Sequence, residues 1–472
     1  MTRFPACMPQ HRMWVHVFCL VTLAALILLV VWAMMGRVPA GAGTSASASA
    51  TLAVLLTFGV TFGALAVNVV GRLQAVAVGA FISLLLGALL QFYFPGAAAQ
   101  YLLGKLDTLV LLAGMSVVSG LLAESGALGL LALKTVHVSR GNPLKVMTLL
   151  CTLTYCLSLF MNNLATILVM IPISLRVAKA TDMEPTPLVL GEIIASNLGG
   201  ASTMVGDFPN MLIATETGLP FHEFLVHLAP VCLLQLGVLI LFLRREFPRR
   251  PLETPGTARL LDEVYGERMN HPMAARGLVI LTVTIVGFLV ARRLGIPVAA
   301  VAGAGAALAF LLGKASPRAL LRRLCIGDVL FFACLFIMVG ALNAAGFLDA
   351  AGGALAAIWL RSPLWAAIAL AWGAALLTCF LSAGPSAALL IHALMCGGAA
   401  FAPGETVWWA LSLGVCAGSS ATLTGATAGP VTASLMEKDG YVLTFTQFAR
   451  TGLPVMLMFL FISSCYLAAV VR

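Results

Sequence analysis

Residues 196–210, SNLGGASTMVGDFPN, place polar side chains and helix-breaking residues between two long apolar runs. Hydroxyl and amide oxygens suit a partly dehydrated hard ion, and a carboxylate inside a membrane is costly and functional by default. The candidate ligands of an ion or substrate here are Ser196, Asn197, Ser202, Thr203, Asp207 and Asn210. The residues that interrupt the helix are Gly199, Gly200, Gly206 and Pro209. We therefore predict a broken helix whose two ends direct backbone dipoles into one site.

Residues 418–430, GSSATLTGATAGP, repeat this composition without an acidic residue. Gly418 and Gly425 mark the backbone break, and the hydroxyls form a weaker partner site: Ser419, Ser420, Thr422 and Thr424. A cluster of small residues also suits close packing between membrane helices. Because a polar, glycine-containing interruption occurs in both halves of the chain, we favour a binding site over a packing surface.

Two interrupted apolar segments precede these stretches. Segment 144–180 breaks at Asn162 and Asn163, and segment 363–402 breaks at SAGPS, which begins with Ser382 and ends with Ser386. Irregular backbone at membrane depth is tolerated only where protein buries it or a cavity solvates it. We predict two re-entrant hairpins whose tips contribute these four polar residues to the ion site.

The composition is that of an integral membrane protein. Of 472 residues, 61% are hydrophobic and 10% are charged, whereas soluble domains carry about 25% charged residues. The apolar runs are near the length of a membrane-crossing helix and do not alternate as barrel strands do. We predict an all-α protein with about 11 transmembrane helices, two re-entrant hairpins, two inverted repeats and unwound helices at the midplane.

Several classes of function are excluded by the sequence. The net charge of +9 comes from basic residues in short stretches between apolar runs, which indicates topology and not nucleic-acid binding. The eleven cysteines include no C-x-x-C pair, so neither a metal site nor a disulfide framework is indicated. The sequence has no nucleophile elbow, H-E-x-x-H or phosphate loop, and we predict no enzymatic activity and no cofactor.

An internal repeat divides the chain. Gly120 and Gly126 recur 220 positions later as Gly340 and Gly346, and Phe160 before MNN recurs as Phe380 before LSAG. The predicted domains are an N-terminal anchor helix and loop, two repeats and a basic cytoplasmic linker. The anchor helix and loop span 1–50, and the linker spans 247–276. The first repeat spans 51–246, with its hairpin at 144–180 and its broken helix at 187–217. The second repeat spans 277–472, with its hairpin at 363–402 and its broken helix at 406–436. The apolar run 14–35 also has features of a cleaved signal peptide, but its length favours an anchor.

Charge orients the two repeats. With a cytoplasmic N-terminus, all but six of the 27 lysines and arginines lie on the cytoplasmic side. The repeats are then inverted, which puts a transporter's site near the midplane at the repeat interface. We predict a bacterial-type cytoplasmic membrane, with an internal membrane as the alternative. The linker is either a solvated connector or a contact to anionic lipid.

Three carboxylates at membrane depth are candidates for proton coupling: Asp207, Glu192 and Glu124. All lie in the first half. Capping of helix N–H groups is the alternative role for Asp207, and a buried structural hydrogen bond is the alternative for Glu192. Glu124 lies next to Ser125-Gly126, where the chain already leaves the apolar run.

The motifs FMNNLATILVMIP, EIIASNLGGASTMVGDFPNMLI, GSSATLTGATAG and EKDGYVLTFTQFARTGLPVM resemble the ArsB/NhaD branch of the ion transporter superfamily, with its P-protein-like and citrate-transporter-like permeases. The resemblance covers residues 105–472 and implies a secondary transporter, a homodimer, and a moving transport domain beside a scaffold. Superfamily substrates include arsenite and antimonite, sodium exchanged for protons, silicate, and di- or tricarboxylates.

The chain departs from the family pattern at both hairpin tips. Asn162-Asn163 replaces the family's Asp-Asn, and Ser382-Ala383-Gly384-Pro385 replaces Asp-Asn-x-Pro. Each tip has lost a carboxylate. We predict an antiporter or efflux carrier for an inorganic ion or small anion, working by alternating access and coupled to sodium or protons. A di- or tricarboxylate transporter, and an uncoupled channel-like or regulatory membrane protein, are the alternatives.

Overall fold

Helices dominate the computed structural model, which describes residues 48–66, 71–139, 142–180, 183–247, 270–312, 325–402 and 406–471. No β-strand occurs in those ranges, and eight of their helices are long and apolar enough to cross a membrane. The prediction of an all-α integral membrane protein is therefore confirmed. The predicted anchor at 14–35 and most of the linker 247–276 lie outside the described residues.

The chain forms nineteen α-helices within the described ranges. They are α1 (Ala48–Ala66), α2 (Arg72–Leu89), α3 (Pro95–Leu103), α4 (Leu106–Glu124), α5 (Ala127–Val138), α6 (Pro143–Ser158), α7 (Asn163–Ala180), α8 (Pro185–Ala201), α9 (Phe208–Thr217), α10 (Phe221–Leu243), α11 (His271–Ala291), α12 (Val298–Leu312), α13 (Ile326–Ala344), α14 (Phe347–Arg361), α15 (Pro363–Leu381), α16 (Ala383–Cys396), α17 (Thr406–Ser419), α18 (Gly429–Lys438) and α19 (Phe445–Val470). Short 3₁₀ turns follow α11 (Arg292–Leu294) and α16 (Gly398–Phe401).

Seven consecutive helices occur twice in the same order. The helices α4 to α10 begin 220 to 224 residues before α13 to α19. The turns that follow α4 and α13 each contain a glycine with positive φ, Gly126 at +74° and Gly346 at +76°. Residues with a Cβ adopt this left-handed conformation only with strain, which explains why glycine recurs at this point of the sequence repeat.

The chain divides into two compact units, and each draws helices from both sequence halves. One unit contains α1 to α3 together with Leu330–Gly352, which comprises most of α13 and the start of α14. Within it, Thr51 Oγ1 donates to the carbonyl of Ala345 at 2.9 Å. The other unit contains Leu106–Val329 and Gly353–Arg472, and therefore both hairpins and both broken helices.

Both predicted helix breaks are present. Residues 202–207 separate α8 from α9, and residues 420–428 separate α17 from α18. Just before each break, a glycine allows close approach of a hairpin arm: a Cβ at Gly199 would collide with the carbonyl oxygen of Tyr155 on α6, and one at Gly418 would collide with that of Ala375 on α15. The two broken helices thus lie directly against the first arms of their hairpins.

The second hairpin differs from its prediction. The chain turns at Ser382 alone, where φ is +72°, and the other residues of SAGPS form the first turn of α16. Proline is compatible with a first helical turn, because its missing N–H has no intrahelical partner there. The first arm, α15, has 19 residues and is long enough to cross a membrane.

Replacement of Gly199 by alanine is expected to destabilise the protein by about 1–3 kcal/mol, because the added methyl group overpacks the contact between α8 and α6. Gly237→Ala on α10 is the matched control, since nothing lies within 4 Å of a Cβ there. The measurement is the thermal unfolding midpoint in detergent. Equal midpoints for the two variants would contradict the contact.

Candidate functional site

Asn197, on α8, connects the first hairpin to the start of the second break. Its Nδ2 donates to the carbonyl oxygen of Ser419 at 3.0 Å and lies 3.5 Å from Ser420 Oγ. Its Oδ1 accepts from Asn163 Nδ2 at 3.5 Å. Since Asn163 begins the second arm of the first hairpin, three elements meet at this one buried amide. The structure thus brings together Asn163, Asn197, Ser419 and Ser420, all of them predicted site residues.

Ser158, which the sequence did not single out, extends this cluster. Its Oγ donates to Asn163 Oδ1 at 2.7 Å and lies 3.2 Å from Ser196 Oγ. The neighbouring Tyr155 hydroxyl is 2.9 Å from Ser202 Oγ. A signal for Ser158 was available, because a hydroxyl occurs in an apolar arm immediately before the predicted hairpin tip.

Threonines secure both breaks in the same way. Thr203 Oγ1 donates to the carbonyl of Leu159 at 2.6 Å and accepts from the Gly206 amide at 3.1 Å. In the second half, Thr422 Oγ1 donates to Cys379 O at 2.8 Å and accepts from the Gly425 amide at 2.9 Å. Main-chain groups that the broken helix leaves unpaired are satisfied in this manner.

Thr424, two residues after Thr422, also donates to the carbonyl oxygen of Cys379, at 3.2 Å. Thr203, Thr422 and Thr424 were predicted as ion ligands. Their hydroxyls donate to carbonyl groups near the hairpin tips, which fixes each break against its hairpin. Their role as ion ligands stays a prediction.

Asn210 does not present a free amide to the site. Its Nδ2 donates to the carbonyls of Ala201 and Thr203, both at 2.8 Å, and its Oδ1 accepts from Ser412 Oγ at 2.6 Å. This amide bridges the two ends of the first break and attaches them to α17. The structure thus gives this amide three structural hydrogen bonds, and its role as an ion ligand stays a prediction.

The hairpin tips contribute unequally. Asn162 caps α7, because its Oδ1 accepts from the Ala165 amide at 2.7 Å, and its Nδ2 lies 3.4 Å from Ser116 Oγ. On the second hairpin, Ser386 is buried with no hydrogen-bond partner for its Oγ, and Ser382 occupies the strained turn. Only the first tip is hydrogen-bonded to Asn197.

Asp207 is buried at the end of the first break. One carboxylate oxygen accepts from the Phe208 amide at 2.9 Å, which caps α9, and the Asn163 side chain lies near this carboxylate. Its side chain is 7% exposed. Asp207 therefore caps a helix and belongs to the same cluster as Asn163 and Asn197.

Glu192 lies apart from that cluster, between the two arms of the first hairpin. Its Oε1 accepts from Ser174 Oγ on α7 at 2.7 Å, while its Oε2 and the nearby Thr154 hydroxyl of α6 have no hydrogen-bond partner. Glu192 and Asp207 are the two acidic side chains buried in the described residues. Glu124, the third candidate, is exposed at the end of α4 and lies outside both buried groups, so its role in proton coupling stays a prediction.

The cluster is polar, with one carboxylate. Among the described residues no lysine or arginine is buried, and no group of three His, Cys, Asp or Glu side chains is placed to hold a metal ion. Hydroxyl, amide and carbonyl oxygens therefore dominate what a bound species would meet. Such a set suits a small cation or a proton better than a multiply charged anion.

Comparison with known proteins gives consistent matches. The sequence model of the citrate transporter family, CitMHS, matches residues 13–414. The magnetosome protein MamN of Magnetospirillum gryphiswaldense is 35% identical over 449 residues, which cover 89% of this chain and 98% of that protein. The mouse P protein is 26% identical, covering 76% of this chain and 53% of that protein.

A solved structure shares the fold. The MtrF protein of Neisseria gonorrhoeae, described as one of a class of antimetabolite efflux pumps, superposes with a TM-score of 0.54 at 12% identity. The match covers 98% of this chain and 96% of that one. At this identity the likeness concerns the fold alone.

Asn197→Ala removes the amide that connects the first hairpin tip to the end of α17 and the start of the second break. We expect a loss of about 1–3 kcal/mol in unfolding free energy, because a buried acceptor and a buried donor lose their partner. Thr152→Ala is the control, since its hydroxyl bonds only to the carbonyl of Thr148 on its own helix. Denaturant unfolding in detergent measures both, and an Asn197 variant as stable as the control would count against the junction.

Proposed function

Because this chain belongs to the citrate transporter family, a family of membrane transporters within the ion transporter superfamily, we propose that it moves an inorganic ion by alternating access. The resemblance carried by its motifs is thereby confirmed at the level of the family. The proposed exchange is of sodium for protons, ahead of metalloid or anion efflux. We place the protein in a cytoplasmic-type membrane with a cytoplasmic N-terminus and as a homodimer, in line with the charge distribution and the family.

The proposal of ion transport rests mainly on the buried cluster of Asn163, Asn197, Ser196 and Asp207, which lies near a hairpin tip and the two helix breaks. A dehydrated cation requires oxygen ligands, which amide, hydroxyl and carboxylate side chains supply here. One buried carboxylate without a buried base can hold either a cation or a proton, and competition between the two produces exchange.

Alternating access would arise from motion of the hairpin and broken helix as a group. Both breaks are bonded to hairpin ends through Thr203 and Thr422, so each hairpin is coupled to its own break. The bond from Asn197 to Ser419 couples the two groups to each other. An ion that binds at Asn197 would therefore affect the positions of both hairpin and broken-helix groups.

Transport of a di- or tricarboxylate is the second candidate, favoured by the description of the family. The absence of any buried lysine or arginine in the described residues opposes it, because multiple carboxylates would meet Asp207 without a compensating charge. Flux of radiolabelled citrate and of sodium into the same proteoliposomes decides between them. Passive equilibration of an ion without proton counterflow would instead indicate the uncoupled, channel-like alternative.

Asp207→Asn is expected to reduce exchange at least tenfold and to remove its pH dependence, because asparagine retains the helix cap but cannot titrate. The assay is sodium-driven proton flux in proteoliposomes from pH 6 to about pH 9. Asp349→Asn, an exposed substitution of the same type in the first turn of α14, is the control. If Asp207→Asn left flux and its pH profile unchanged, the coupling role of this carboxylate would be wrong.

Glu192 is proposed as a second proton carrier, and two substitutions separate that role from structure. Glu192→Gln retains an acceptor for Ser174, whereas Glu192→Leu introduces the residue found at the corresponding position 411 of the second half. A proton carrier predicts that both lose proton-coupled flux about tenfold while the glutamine variant unfolds at the wild-type temperature. Full flux in Glu192→Gln would make the residue structural only.

A further inference from the structure

A cavity of about 450 Å³ lies at the end of the α10 span, outside the site described above. It is lined by Asn142, Leu144, Leu241, Arg244 and Arg245. Asn142 and Leu144 begin α6, while the other three residues end α10. A helix long enough to cross the membrane ends here, so the cavity lies at the boundary between hydrocarbon and water.

The charge of this cavity is uncompensated within the described part of the chain. Arg244 and Arg245 are both exposed and form no ion pair with any described residue. Glu246 follows them in the chain but does not line the cavity. Two adjacent guanidinium groups are suited to a phosphodiester, which accepts their paired N–H donors.

Two backbone amides at the start of α6, beside the arginines, already have a side-chain hydrogen-bond acceptor. The amides of Leu144 and Lys145 both donate to Asn142 Oδ1, at 3.0 and 3.2 Å. An anion in the cavity would therefore be held by the arginine side chains and not by these N–H groups of α6.

The remaining lining is apolar. Leu241 is 60% exposed, and Leu144 is half-buried beside it. A free anion would gain nothing from these leucines, whereas the glycerol and first methylene groups of a lipid would cover them. The combination of two arginines with apolar side chains at a membrane boundary is the arrangement that recognises an anionic head group.

The second half of the chain lacks this device. At the displacement of the repeat, the positions that correspond to Asn142, Leu144, Leu241, Arg244 and Arg245 hold Ser362, Leu364, Cys465, Ala468 and Ala469. The helix order is the same, but the basic pair occurs once. The arginines are therefore not required by the repeated fold.

We propose that this cavity binds the phosphodiester head group of an anionic glycerophospholipid, with Arg244 and Arg245 as the phosphate-binding residues. The lipid would hold the start of the first hairpin against α10. The assignment is independent of the proposed transport function, because none of these residues contacts Asn197 or Asp207.

The test is native mass spectrometry of the full chain in detergent, titrated with phosphatidylglycerol and, separately, with phosphatidylcholine. Each arginine near a lipid phosphate contributes about 1 kcal/mol, so Arg244→Gln/Arg245→Gln should weaken phosphatidylglycerol binding about 30-fold. Binding of phosphatidylcholine should change little. Arg244→Lys/Arg245→Lys keeps the charge and should recover at least half of the lost affinity.

Arg292→Gln/Arg293→Gln is the matched control, a second exposed arginine pair at the end of another span, α11. An equal loss in this variant would overturn the proposal, because any interfacial arginine would then serve. No loss in the 244/245 glutamine variant, or no recovery with lysine, would also overturn it. Displacement of the lipid by millimolar inorganic phosphate would identify a free-phosphate site instead.

Discussion

An interrupted helix in an apolar interior leaves main-chain N–H and C=O groups that water does not reach, and each must find a partner. In this protein the partners are side-chain hydroxyls and amides. Thr203 and Thr422 each join a break to the end of its hairpin, and Asn210 bridges the two ends of the first break. The hairpins and broken helices therefore depend on one another, since neither could be buried alone without unpaired polar groups.

This requirement is met twice with the same geometry and with different chemistry. The threonine contacts and the close approaches at Gly199 and Gly418 recur in both halves. The groups capable of binding or titrating do not recur: Asn163 corresponds to Ala383, Asp207 to Ala426 and Glu192 to Leu411. The scaffold is duplicated, whereas both buried carboxylates of the described residues belong to the first half.

The two halves meet at equivalent positions. Asn197 and Cys416 are separated by the displacement of the repeat, and Cys416 Sγ lies 3.5 Å from the carbonyl oxygen of Asn197. At this meeting point one half supplies an amide and the other a thiol and a carbonyl. A site at such a junction would have ligands from both halves, as the sites at repeat interfaces of secondary transporters do.

The sequence by itself determined the class of protein, the positions of both breaks and the residues that interrupt them, because hydropathy and Gly or Pro content are local properties. The sequence also indicated the repeat and both carboxylates that are buried in the described residues. Only the tertiary structure decided which polar residues hold the backbone and which remain for a ligand. Asn210 and Asn197 are the same residue type in one motif, but they have different contacts. The Asn210 amide bonds across the first break, whereas the Asn197 amide bonds to the second half of the chain. The sequence could not distinguish them, since their partners include residues of helices distant in sequence. For the same reason the sequence did not indicate Ser158 as part of the cluster. The exposure of Glu124 at a helix end was likewise visible only in the structure.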